Sequence, residues 1–130
     1  MNMPEGFNTV TPYLIVDGAD HFIRFLVNAF DGKELGRTTD DDDRIVHAQV
    51  RIGSSTLMIS EASKDYKATS AAYYLYVDDA DAVVSRALDQ GASLEMAVDD
   101  KPYGDRQGGI TDPFGNTWWI SQRLDEGPYY

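Results

Sequence analysis

The spacing of hydrophobic residues changes once in each half of the chain. In the first half, apolar residues alternate up to Val16 and then recur at spacings of three and four from Phe22 to Phe30. The same change follows Val77 in the second half. Alternation is typical of a half-buried strand, and the longer spacing is typical of one apolar helix face. Each half is therefore predicted to contain a strand that leads into a helix.

These two changes belong to an internal repeat of about 61 residues. Thr11–Asp20 aligns with Ala72–Asp81, with Tyr, Val, Asp and Ala at matching positions. Further on, Gly53–Ser60 aligns with Gly115–Ser121, and each segment is typical of a glycine turn followed by a strand. A repeat of this length indicates that one structural unit occurs twice.

The segment before the first of these glycine turns alternates over its whole length. Because successive side chains of a strand point to opposite faces, His47 and Gln49 should share one face. The opposite, apolar face is predicted to carry Val46, Ala48, Val50 and Ile52.

Together these segments give each half the element order βαβββ. The two modules are predicted at residues 9–61 and 71–123, within a single domain over residues 1–130. Gly32 and Gly91 are expected to end the helices in the left-handed conformation. The predicted fold class is therefore α+β.

Composition and charge narrow the possible partners. The chain has 22 acidic and 11 basic residues, so its net charge is −11, which disfavours nucleic acid and favours a cationic or neutral small molecule. It has no cysteine, which excludes disulfides and thiolate sites and fits the cytoplasm. No apolar stretch approaches the roughly 20 residues of a membrane helix, so no membrane association is expected.

Near the end of the second module, two short motifs follow one another within Pro102–Trp118: Tyr-Gly-Asp-Arg and Asp-Pro-Phe-Gly-Asn-x-Trp. The first module carries His47–Gly53 and Leu57–Ser60. In this order, the modules and motifs resemble the vicinal oxygen chelate superfamily, which includes glyoxalase I, extradiol dioxygenases and bleomycin resistance proteins. Within that superfamily they look like the PhnB-like branch. The resemblance covers about residues 9–123.

The resemblance implies a curled, eight-stranded open barrel around a cavity, commonly in a homodimer. Strand alternation then indicates which side chains face that cavity. The predicted cavity wall includes Tyr13, His47, Gln49, Met58, Tyr74, Tyr76 and Trp119.

Catalytic members of the superfamily hold a divalent metal on the first and last strands of each module. By the motif alignment, the corresponding positions here are Thr11, Met58, Ala72 and Trp119. None of these side chains is a usual metal ligand. Neither a metal nor another cofactor is therefore expected.

Two candidate residues have a structural alternative. His47 either lines the pocket or acts as a general base. Arg106 either binds a ligand carboxylate or phosphate, or pairs with Asp105 to hold the loop. The aromatic residues themselves could fill a core instead of lining a pocket, which would leave a pure interaction module.

The leading prediction is a metal-independent small-molecule-binding protein, in which aromatic surfaces and a few polar groups form the site. Its candidate ligand-binding residues are Tyr13, His47, Gln49, Met58, Tyr74, Tyr76, Arg106 and Trp119. The alternative is a lyase, isomerase or dioxygenase with an atypical metal site or with His47 as general base.

Overall fold

A computed structural model describes residues 2–130 and divides them into two compact units. The first unit ends at Thr69, and the second spans Ser70–Tyr130. Each unit has the same order of elements, namely a strand, a helix and three further strands. The predicted α+β class and the βαβββ order of each half are confirmed. The single domain over residues 1–130 stays a prediction.

Each unit folds its four strands into one mixed sheet, ordered β1-β4-β3-β2 in the first unit and β5-β8-β7-β6 in the second. The first strand of each unit runs parallel to the last, and the other neighbours are antiparallel. The elements of the first unit are β1 (Tyr13–Val16), α1 (Ala19–Phe30), β2 (Lys33–Thr39), β3 (Ile45–Ile52) and β4 (Ser55–Glu61). Those of the second are β5 (Ala72–Tyr76), α2 (Ala80–Asp89), β6 (Ser93–Asp100), β7 (Asp105–Thr111) and β8 (Thr117–Arg123).

The core of each unit lies between its helix and one face of its sheet. In the first unit, Phe22 and Leu26 of α1 are buried together with Val50 and Ile59 of the sheet. In the second unit, the apolar side of α2 is buried with residues of β7 and β8: Val83, Val84, Ala87, Ile110, Trp118 and Ile120. Since one helix covers only one face of a sheet, the alternate residues of every strand lie on a second face that no helix of the unit covers.

Both helices begin against a side chain from the last strand of their unit. The carboxylate of Glu61 accepts hydrogen bonds from the backbone N–H groups of Gly18 and Ala19, each at 2.9 Å. At the equivalent position of the repeat, Gln122 accepts a hydrogen bond from the N–H of Ala80 at 3.0 Å. The first N–H groups of a helix have no partner within the helix, so these contacts fix where each helix starts on its sheet.

The prediction that Val46 lies on the apolar face of β3 is wrong. Pairing between β2 and β3 shifts by one residue, because Thr38 pairs with His47 whereas Thr39 pairs with Ile45. This β-bulge leaves Val46 without a partner and turns it outward, where it is 48% exposed, while Ile45 is buried instead.

The helix ends were predicted correctly in the second half only. Gly91 is left-handed, with φ of 100°. After α1, the left-handed residue is Asp31, with φ of 57°, and not Gly32. Aspartate tolerates this conformation better than most residues. Gly32 is needed for a different reason, since a Cβ there would lie 2.9 Å from the carbonyl oxygen of Leu26.

Among the described residues 2–130, no helix is long and apolar enough to cross a membrane.

Replacing Glu61 with Ala should lower the free energy of unfolding by about 1 to 2 kcal/mol, because two N–H groups at the start of α1 lose their acceptor. Urea denaturation measures this change. Glu61→Gln is the matched control, since it keeps one acceptor oxygen and should lose less stability. Wild-type stability in Glu61→Ala would contradict the role of this cap.

Candidate functional site

Four of the predicted site residues come together on the uncovered face of the first sheet. In the strand register, Met58 lies beside both Tyr13 and Gln49. The rings of Tyr13 and His47 are 5.9 Å apart between centroids. We call Tyr13, His47, Gln49 and Met58 the first-unit patch.

Within this patch, the side-chain amide of Gln49 orients His47. The Gln49 Nε2 lies 3.2 Å from the His47 Nε2. The two side chains are therefore hydrogen-bonded neighbours, and this contact holds the half-buried imidazole on the sheet face.

A cavity of about 510 Å³ adjoins the patch at Tyr13. Its volume falls within the usual range for small-molecule sites. Strand β1, the bulged start of β3 and the loop after β4 form its walls. The apolar and aromatic lining consists of Tyr13, Ile15, Ile45, Val46 and Tyr66. The bulge that exposes Val46 thus supplies part of this wall.

Both carboxylates that line the cavity are engaged within the protein. Glu61 caps α1, as described above. Asp40 accepts a hydrogen bond from the Arg44 backbone N–H at 3.0 Å and from its Nε at 3.1 Å. The first of these hydrogen bonds is the main cause of the lowered pKa of Asp40. Each carboxylate thus already has a partner within the protein, and the surface of the cavity is mainly apolar.

The second sheet also has an aromatic uncovered face. The rings of Tyr74 and Tyr76 are 5.2 Å apart, and Tyr74 lies beside Trp119 in the register. The ring of Trp119 lies across Gly109, where a Cβ would approach the ring to 2.5 Å. Glycine at position 109 is therefore what allows Trp119 to lie flat against β7.

Beside these rings lies a fully buried carboxylate, that of Asp105. Its Oδ2 accepts hydrogen bonds from the hydroxyls of Tyr74 at 3.0 Å, Tyr129 at 2.7 Å and Ser121. Its Oδ1 accepts one from Nη1 of Arg123 at 2.8 Å. We call these five residues the Asp105 cluster.

The charge state of Asp105 is decided by two opposing effects. Burial raises its pKa, because it penalises the charged form. The hydrogen bonds from Ser121, Tyr129, Arg123 and Tyr74 act in the opposite direction and outweigh burial, so the pKa falls to about 2. Asp105 is thus an ionised, buried acceptor at neutral pH.

Sequence reasoning considered Asp105 only as a partner of Arg106 and did not place it, or its neighbour Gln107, among the candidate site residues. Gln107 donates to the Ser121 hydroxyl at 3.3 Å and accepts from the Tyr103 hydroxyl. The signal was present in the alternation of β7, where apolar Ile110 marks the helix side and places both residues on the other face.

Arg106 lies on the opposite face of the second sheet from Tyr74, Tyr76 and Trp119. Its guanidinium binds Asp81 of α2 at 2.7 Å and Asp100 of β6 at 2.9 Å. The predicted pairing of Arg106 with Asp105 is wrong, because adjacent strand residues point to opposite faces and Asp105 pairs with Arg123 instead.

The Asp-Pro-Phe-Gly motif holds the start of β8. Oδ1 of Asp112 accepts hydrogen bonds from the backbone N–H groups of Phe114 at 2.8 Å and Asn116 at 3.0 Å. Its Oδ2 accepts from Nε1 of Trp118 at 2.8 Å. The motif is therefore a structural turn that sets the register of β8 and, with it, the direction of Trp119.

The positions that correspond to the superfamily's metal ligands do not fit a divalent metal. Thr11 donates its hydroxyl to the carbonyl of Asn8 at 2.8 Å, and Met58, Ala72 and Trp119 have no imidazole or carboxylate. Within residues 2–130, no three His, Asp or Glu side chains are grouped so that they could hold a metal ion.

Acid should remove the stability that ionised Asp105 contributes. Its folded-state pKa of about 2 lies below the value near 3.9 of an unfolded aspartate. The contribution is therefore complete above about pH 4 and is lost as the pH falls from about 4 to about 2. Urea denaturation should show Asp105→Asn less stable than wild type at about pH 7, with a smaller gap at about pH 3.

The exposed turn residue Asp41 provides the control, since Asp41→Asn should match wild type at both pH values. A gap for Asp105→Asn that stays constant with pH would contradict the assignment.

Comparisons with known proteins agree with this fold. An uncharacterized protein of Mycobacterium bovis is 38% identical over 128 residues, which covers 90% of this chain and 84% of that protein. The PhnB protein of Bacillus cereus superposes with a TM-score of 0.68 at 14% identity, over 88% of this chain and 99% of that one.

A third similar protein is TnmS3 of Streptomyces sp. CB03234, described as an antibiotic binding protein. It superposes with a TM-score of 0.65 at 20% identity, over 95% of this chain and 98% of that one. The predicted glyoxalase-like fold is thereby confirmed. The family model for the Glyoxalase/Bleomycin resistance protein/Dioxygenase superfamily matches residues 6–120, and the chain belongs to that superfamily.

Proposed function

We propose that this protein binds an uncharged, largely aromatic small molecule in the cavity of its first unit, without a metal, and serves in sequestration or sensing. The observation that carries the proposal is the cavity itself. It is large enough for a drug-sized ligand, and its carboxylates are already engaged by Arg44 and by the start of α1.

The exposure of its lining supports this assignment. Tyr13 is 50% exposed, Tyr66 is 70% exposed and Val46 is 48% exposed. Covering apolar surface of this kind with a ligand is favourable by roughly 25 cal/mol per Å². The antibiotic-binding description of TnmS3 supports the same class of function on this fold.

In this proposal, the first-unit patch orients the bound ligand. Tyr13 presents a ring, while His47 and Gln49 are polar groups on the same face. In this proposal Met58 provides an adaptable apolar contact. Tyr74, Tyr76 and Trp119 form a second aromatic surface, and Arg106 has a structural role.

The proposal includes a cytoplasmic homodimer, as the family resemblance implies. The absence of cysteine in the sequence supports a reducing compartment. Sedimentation velocity of the full chain measures the oligomeric state directly.

Nile red, a neutral polycyclic dye, should bind saturably, because the cavity is open and apolar. Tyr13→Ala should weaken binding by about fivefold, the equivalent of about 1 kcal/mol for a lost aromatic contact. Dye fluorescence measures both affinities. Tyr130→Ala is the matched control, since Tyr130 is fully exposed and does not line the cavity. Equal affinity in Tyr13→Ala and wild type would contradict the assignment.

The alternative is an enzyme in which His47 is the general base. The observation that favours it is the position of the half-buried His47 on the uncovered face beside Tyr13, with 5.9 Å between the ring centroids. The remaining histidine, His21, is exposed on α1 and provides a matched control.

Assays with a 2-oxoaldehyde, an epoxide and a catechol separate the two functions. A binding protein should turn over none of them. Turnover that His47→Ala abolishes and His21→Ala preserves would establish the enzyme instead.

A further inference from the structure

The segment that follows β8 folds back onto the uncovered face of the second sheet. The N–H of Leu124 donates to the carbonyl of Gly104 at 2.8 Å, and Nη2 of Arg123 donates to the carbonyl of Gly127 at 2.7 Å. Residues 124–130 belong to no helix or strand. The segment nevertheless places the hydroxyl of Tyr129 on the buried carboxylate of Asp105.

The donors around this carboxylate differ in how they are held. Tyr74 lies in β5, Ser121 in β8 and Asp105 in β7, so strand pairing fixes all three. Tyr129 is held by side-chain contacts alone, and its side chain is 44% exposed. The sheet therefore presents a charged acceptor with two built-in hydroxyl donors, and the third donor comes from a segment outside the sheet.

Tyr129 also shows which chemistry this position accepts. The Tyr76 hydroxyl lies 2.9 Å from that of Tyr129. This contact, followed by burial and by the hydrogen bond to Asp105, raises the pKa of Tyr129. Tyr129 therefore stays protonated and donates to Asp105, with the Tyr76 hydroxyl as its second hydrogen-bonding partner. A phenol makes both contacts with one oxygen.

The surroundings of the ring disfavour a cationic ligand. The guanidinium of Arg123 lies over the Tyr129 ring, with its Cζ 4.1 Å from the centroid. This geometry favours an electron-rich neutral ring. An ammonium group in its place would face the positive charge of Arg123, although it could also donate to Asp105.

We propose that Asp105, Tyr74 and Ser121 form a binding site for the phenolic hydroxyl of a small molecule, and that Tyr129 occupies this site as a displaceable internal ligand. The site lies in the second unit and uses none of the residues that line the first-unit cavity. An external phenol must compete with Tyr129. Its apparent affinity is therefore its intrinsic affinity multiplied by the fraction of molecules in which Tyr129 has left the site.

The probe is 4-methylphenol, which has the structure of a tyrosine side chain. Removing the internal ligand in Tyr129→Ala should strengthen its binding at least about tenfold relative to wild type. Tyr129→Phe keeps the ring without the hydroxyl and should give an intermediate affinity. Toluene, which lacks the hydroxyl, and benzylamine, which carries a positive charge, should bind Tyr129→Ala more weakly than 4-methylphenol.

Amide chemical shifts measure these affinities and also show displacement in the wild type. Saturating 4-methylphenol should move the wild-type resonances of Glu126 and Gly127 to their positions in Tyr129→Ala. The proposal is overturned if 4-methylphenol leaves the amide resonances of Asp105 and Ser121 unmoved in Tyr129→Ala, or if toluene moves them equally well. It is also overturned if the phenol moves them in the wild type without moving those of Glu126 and Gly127.

Two further variants complete the test. In the Tyr129→Ala background, Asp105→Asn should weaken 4-methylphenol binding, and unchanged affinity in a folded double variant would overturn the proposal. Tyr13→Ala should leave the shifts that 4-methylphenol produces at Glu126 and Gly127 unchanged, because these residues belong to the second unit and Tyr13 belongs to the first. Failure of the first-unit cavity to bind Nile red would therefore not affect this result, so the two proposals fail separately.

Discussion

The organisation of each unit depends on one constraint, which is that a single helix covers a four-stranded sheet. Side chains alternate across a strand, so burying one face of the sheet against the helix leaves the other face without a helix to cover it. Neighbours in β1 show the consequence directly, because Leu14 is 3% exposed whereas Tyr13 is 50% exposed. The buried set stabilises the unit, and the alternate set supplies the candidate chemistry.

Charged groups on both uncovered faces are paired within their own unit. Asp40 is engaged by Arg44, and Asp105 by Arg123 and three hydroxyls. On the helix side of the second sheet, Arg106 is engaged by Asp81 and Asp100. These guanidinium groups are therefore engaged within the fold.

Elements and strand faces could be predicted from the sequence because a period of two is a geometric property of every strand. Alternation alone brought Tyr13 and His47 to one face. It failed at Val46, because a bulge depends on the partner strand and not on the bulged residue. It also missed the role of Asp105, whose donor Tyr129 lies 24 residues away in a segment without periodic pattern.

The two units show how one scaffold presents two chemistries. In the alignment of the two repeats, Tyr13 corresponds to Tyr74, and Met58 corresponds to Trp119. Since Gln49 pairs with Met58 and Gly109 pairs with Trp119, the start of β3 corresponds to the start of β7. The first unit has the apolar bulge of Ile45 and Val46 there, beside an open cavity, whereas the second has the carboxylate of Asp105. The backbone order is the same in both units. In the two proposals, it is therefore this exchange of an apolar wall for a buried acceptor that suits the first face to an apolar ligand and the second to a hydroxyl donor.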